Sequence, residues 1–174
     1  MSQTTHHHDA GADNGMAQPI SSDRGASILG PPNVRMEAQN PDLLASPYTD
    51  ARTIPNLKFS FAQARNRILT GDWAREVTTR ELRVAKDLAG ANIRLKPGSI
   101  RELHWHKEAE LAYMLAGRAR VTAVDTEGRN LVDDVGVGDL WLFPSGTPHS
   151  MRGLEEGCEF LLVFDDGNFS ENET

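Results

Sequence analysis

From Ala74 to Phe164 the chain runs as short apolar stretches cut by turn signals, with no sustained helical period. Val77, Thr79 and Glu81 to Val84 predict one strand. Ile93 and Leu95 predict another, ending at the turn signal Lys96-Pro97-Gly98. An apolar-rich stretch carrying two histidines follows, then a polar break at Lys107 and Glu108 that can turn the chain back. Glu110 to Leu115 predicts the returning strand, with a tight reversal at Ala116-Gly117. Val121 to Asp125, Leu131 to Val135 and Leu140 to Phe143 continue the series across turns at Asp125-Thr126-Glu127-Gly128 and Gly136-Val137-Gly138-Asp139. Phe160 to Phe164 is apolar at every position, the pattern of a strand buried on both faces. Upstream, Leu57, Phe59 and Phe61 alternate with Lys58 and Ser60 as in a short half-buried strand, while Ala64 to Trp73 reads equally well as several things. Short strands at this spacing predict an all-β sandwich or barrel.

Ahead of the strands the composition changes. Met1 to Gly30 is rich in Ala, Gly, Ser, Asp and Gln, and lacks the apolar surface that would offset its ordering entropy. Pro31, Pro32, Pro41, Pro47 and Pro55 then punctuate an extended arm, since proline removes a donor and biases its predecessor away from helix. The expectation is a disordered tail and Pro-rich arm over residues 1–50 and one domain over 51–174. The arm and the strand at Leu57 to Phe61 have no obvious partner within one barrel, which predicts a homo-oligomer in which they cover a neighbour's apolar surface.

Charge and cysteine usage narrow the partners. A net charge of −7 at pH 7 excludes a basic nucleic-acid surface. No apolar run is long enough to span a membrane, and MSQTTHHHDAGADNG has no apolar signal-peptide core, so the expected compartment is the cytoplasm. The single cysteine, Cys158, cannot form an intramolecular disulfide, and its place beside Phe160 to Phe164 predicts a buried, inert thiol. The triplet His6, His7, His8 lies in the polar tail and is left out of the site.

The chemistry concentrates in PGSIRELHWHKEAELAYMLAG, Pro97 to Gly117. His104 and His106 are two apart, and alternate strand residues share a face, so both imidazoles project together. Glu110 follows, and His149 arrives later in GDLWLFPSGTPHSM. Three imidazoles and one carboxylate make a site for a first-row divalent metal, without choosing among Fe, Mn, Co, Ni and Zn. Arg101, three before His104, offers a fork of donors that suits a carboxylate. In an unbroken strand it would point away from the ligand face, so its use requires a bend or bulge.

These residues also resemble a family. Gly98, His104-x-His106, Glu110 and Gly117, followed by Gly138, Pro144-x-Gly146 and His149, are similar in order and spacing to the two cupin motifs. RELHWHKEAE, GDLWLFPSG and the closing SENET resemble the N-terminal half of a bicupin oxalate decarboxylase, from about Leu57 to Thr174. The pattern departs at Gly153, where many cupins carry Asn, and at Leu111, where Trp is expected in close relatives. The resemblance implies a double-stranded β-helix barrel and a manganese ion held by His104, His106, Glu110 and His149. It also implies oxalate as small-molecule substrate, with dioxygen as a co-substrate not consumed overall. It assigns Arg101 to the pocket and Glu171 to a lid that shuttles a proton, with Glu173 as a nearby substitute. The expected reaction is decarboxylation of oxalate to formate and carbon dioxide. Oxalate oxidation to peroxide and carbon dioxide is one alternative, and a non-catalytic carboxylate-binding cupin is another. Only one copy of each motif is present, where the resembled enzymes carry two.

Overall fold

The computed structural model describes residues 57–64, 66–69 and 72–170, and the expectations for residues 1–50, for the arm up to Pro55 and for Glu171 and Glu173 lie outside them. A 3-10 turn, Phe61–Gln63, leads into eight strands: β1 Asn66–Leu69, β2 Asp72–Val77, β3 Ala89–Leu95, β4 Ile100–His104, β5 Glu110–Val124, β6 Asn130–Gly136, β7 Leu140–Phe143 and β8 His149–Phe164. All the pairings are antiparallel. The hydrogen-bonded order is β1-β2-β3-β8-β5-β6, with β4 added on β8 and β7 on β5. The expected all-β barrel is present.

Its frame is the β5–β8 ribbon. The two strands run 15 and 16 residues and pair from Glu110 opposite Phe164 to Ala123 opposite His149. Drawn straight, thirteen residues would separate those ends by roughly 43 Å. Yet Glu110 Oε2 and His149 Nε2 lie 3.4 Å apart. The ribbon therefore folds back until its two ends face each other across the interior. Register shifts between Met114 and Ala116 and between Gly117 and Ala119 make the bend. Gly117 stands there at φ 70°, and a Cβ on it would meet Gly157 O at 2.0 Å. The reversal expected at Ala116-Gly117 is thus a bulge inside one continuous strand. Glycine's left-handed backbone bends the ladder without ending it.

Met114, Val121, Trp141, Phe143, Met151, Phe160, Leu162 and Phe164 point inward and form the core with Ile93 and Leu95. Each such side chain contributes about 1.5–3 kcal/mol on burial. In the segment expected to be buried on both faces, Phe160, Leu162 and Phe164 are buried but Leu161 and Val163 are only half-buried. On the far side of β2 and β3, buried Arg75 donates to Asn92 Oδ1 at 2.6 Å, and Asn92 Nδ2 donates to Glu159 Oε1 at 3.1 Å.

Two expected strands are absent. Phe61 lies in a 3-10 turn because Gln63 N donates to Ser60 O, while Arg75 Nη1 takes the Phe61 carbonyl a sheet would use. Glu81 to Val84 forms turns because the Thr78 amide and hydroxyl both bind Glu81 Oε2, and Leu82 N donates to Thr78 O. Local side-chain hydrogen bonds have captured a backbone whose composition alone allowed a strand. Within Ala64 to Trp73, Asn66–Leu69 forms β1 and pairs antiparallel with β2, which begins at Asp72.

A candidate metal centre inside the barrel

The four predicted donors come from three elements. His104 ends β4 and pairs across the sheet with His149, the first residue of β8. His106 follows β4, and Glu110 opens β5. One nitrogen or oxygen from each of His104, His106, Glu110 and His149 lies within 4.8 Å of the others.

Backbone carbonyls set the chemistry of the rings. His104 Nδ1 is 2.7 Å from Glu102 O, His106 Nδ1 is 2.8 Å from Glu108 O, and His149 Nδ1 is 2.8 Å from Thr147 O. A carbonyl only accepts, so each Nδ1 carries its proton and donates. When neutral, each ring presents an Nε2 lone pair toward the others, the arrangement that holds a metal-binding imidazole in one tautomer. Aromatic walls fix the ring planes. Phe143 stacks on His149 at 4.1 Å and 14°, while Phe164 and Phe169 meet His106 edge-on at 5.4 and 5.6 Å.

Acceptors therefore converge with too few donors to satisfy them. Glu110 Oε1 and His149 Nε2 are buried without a hydrogen-bond partner, and the 3.4 Å contact of His149 Nε2 with Glu110 Oε2 is an electrostatic one. Orphaned polar atoms of this kind are costly unless a cation or proton joins them. Burial pushes the His104 ring down to a pKa of about 4, which keeps its lone pair free at neutral pH. Burial also opposes charge on His106, but the 3.2 Å hydrogen bond to Glu110 and its negative charge lift that ring above the usual value. Burial would raise Glu110, yet the hydrogen bond of His106 and the proximity of His149 hold its carboxyl at about 2. A permanent carboxylate with three directed imidazoles fits a divalent first-row ion. His106, Glu110 and His149 are buried and His104 is half-buried, so the cluster opens to solvent on the His104 side.

Arg101 meets its sequence requirement. It pairs with Met151 while His104 pairs with His149, so three steps along β4 match two along β8. This bulge leaves Glu102 and Leu103 both exposed and gives Arg101 the same cross-strand parity as His104. The guanidinium is near enough to add to the lowering of the His104 pKa. The aromatic walls were not foreseen: alternation at Phe160, Leu162 and Phe164 signals burial but does not say which ring meets which imidazole. Gly153 now has a reason, because a Cβ there would lie 2.5 Å from Lys96 O.

A four-donor pocket between the faces of an antiparallel barrel is the architecture of metal-binding cupins. The cupin family profile matches residues 59–174, and the chain belongs to that family. It is 61% identical over 161 residues to oxalate decarboxylase OxdC of Bacillus subtilis, covering 92% of this chain and 42% of that protein. It is 44% identical to a probable oxalate decarboxylase of Arthroderma benhamiae, over 87% of this chain and 38% of the other. Among solved structures, the Lactobacillus farciminis oxalate decarboxylase formate complex matches with TM-score 0.68 and 61% identity, over 69% of this chain and 36% of that one. A Bacillus subtilis oxalate decarboxylase structure, described with Mn(II) centres, matches with TM-score 0.69 and 61% identity, over 89% and 41%. The chain thus spans about two fifths of the length of the curated relatives it matches.

Proposed function

We propose that this chain is a manganese-binding cupin that decarboxylates oxalate to formate and carbon dioxide, with dioxygen as co-substrate. One observation carries the reading: three imidazoles, each held by a backbone carbonyl, converge with a buried carboxylate in a chain 61% identical to an oxalate decarboxylase. His104, His106, Glu110 and His149 hold the ion, which supplies a Lewis-acidic, redox-capable centre with positions left for substrate. Arg101, on the open side beside His104, binds the outer carboxylate of oxalate with its fork of donors. Glu171 accepts the proton of bound hydrogen oxalate and returns it to carbon after carbon dioxide leaves. The reach is short, because Glu171 is two residues beyond Phe169, whose ring lies 5.6 Å from His106.

The working unit is a homo-oligomer. Leu111 opposite Leu142 and Tyr113 opposite Leu140 leave four exposed large apolar side chains on one outer sheet face, which supports burial against another copy. The test is a product assay on manganese-loaded protein given oxalate. Formate should form, and Glu171→Gln should lower formate while leaving the manganese content unchanged. Peroxide with carbon dioxide as the sole products would make the chain an oxidase, and no turnover would remove the enzymatic reading. Undiminished formate from Glu171→Gln would shift the proton-transfer role to Glu173 or another acid.

A further inference from the structure

We infer that Asp165 and Asp166 are positioning residues that clasp the turn after β8 to the ligand-bearing loop, and so set where the proton-shuttling tail begins. The inference rests on the reading of Glu171 given above.

Residues 107–109 form the short loop between His106 and Glu110. It makes two contacts with the segment after β8: the Ala109 amide donates to Asp165 Oδ1 at 2.9 Å, and Lys107 Nζ lies 3.2 Å from Asp166 Oδ2. Asp166 also closes its own turn. Its Oδ1 accepts from Asn168 N at 2.8 Å and its carbonyl from Phe169 N at 3.2 Å. The turn ends on Phe169, which is buried, stacked on Phe164 at 3.5 Å and set edge-on to His106.

The opposite side of the turn is equally fastened. Gly167 N donates to Lys86 O, Thr79 N donates to Gly167 O, and a Cβ at Gly167 would lie 1.9 Å from Ala85 O. The turn has little freedom to slide. A carboxylate two residues past Phe169 starts from a point fixed relative to His106 and Glu110. In residue order Asp165 and Asp166 are simply two acids after an apolar strand. Only the fold shows that they bridge to the ligand loop.

The test uses manganese-loaded protein, amide hydrogen exchange and the oxalate product assay. Asp165→Ala removes the acceptor for Ala109 N, whereas Asp165→Asn retains an oxygen in its place. Exchange at the Gly167 and Phe169 amides should speed up roughly three- to tenfold in Asp165→Ala. Its manganese content should stay stoichiometric, its formate share should fall, and Asp165→Asn should restore both the exchange rates and the formate share. Lys107→Met, which breaks the second contact without touching Asp165, should move exchange in the same direction. Unchanged exchange in both Asp165→Ala and Lys107→Met overturns the clasp. Loss of manganese from Asp165→Ala also overturns it, since the residue would then serve the ligand loop and not the tail. Should the wild-type chain make no formate, the functional reading fails by itself, and the exchange rates alone decide the clasp.

Discussion

Replacing His149 by alanine separates metal binding from packing. The ring has 0% exposure, stacks on Phe143 at 4.1 Å and lies 4.4 Å from the His104 ring. Truncation forfeits that stacking and leaves a void, at a cost of about 1–3 kcal/mol. It also removes a buried, unpartnered Nε2 acceptor, which returns about 1–3 kcal/mol to the metal-free protein. The two effects nearly cancel, so the metal-free melting temperature should move by only a few degrees. The response to metal should change far more. An ion present at 100 times its Kd stabilises the wild-type fold by about 2.7 kcal/mol, a rise of roughly 5–15 °C for a domain of this size. Losing one of four donors should weaken binding by at least about a hundredfold, leaving a shift of about 1–2 °C at the same concentration. Thermal denaturation after chelation and stepwise return of Mn2+ measures both quantities. A His149→Ala protein that keeps the full manganese-induced shift would refute the proposed ligand set.

Three further outcomes follow from named contacts. In the metal-free protein, ring-proton NMR should find His104 neutral down to pH about 4 and His106 titrating above the usual histidine value. The His104 contribution to stability is then full above about pH 6.5 and lost as pH falls toward 4, while that of His106 is full below 6.5 and lost as pH rises through its raised value. Joint titration of both near pH 6.5 would contradict this. Burial pushes the Cys158 thiol up to about 12, so it should resist a thiol reagent until the protein unfolds, and fast labelling in native buffer would argue against its burial. Gly153→Ala should cost about 1–3 kcal/mol, because its Cβ would press on Lys96 O and Leu95, and chemical denaturation with an unchanged midpoint would show that the β3–β4 turn yields freely.

The regular run of short strands and the four donors were legible from residue order alone, because strand alternation and turn residues are local properties. His104 and His106 announce a shared face by spacing, and Cys158 announces burial by its apolar neighbours. Leu57 to Phe61 and Glu81 to Val84 carry strand composition yet fold otherwise, since Arg75 and Thr78 bind their backbone from positions alternation does not weigh. Simple alternation sets Arg101 off the face of His104, and one bulge against β8 gives the two the same cross-strand parity. The ribbon's return at Gly117 belongs to the same class, because register is a relation between two strands. Residue order determined which donor groups are available to meet. Where they meet was decided by the folded β5–β8 ribbon, the carbonyls that fix three tautomers, and an aspartate pair reaching from the end of β8 to the ligand loop. Those relations join residues far apart in the chain, so they exist only once burial and hydrogen bonding have closed the barrel.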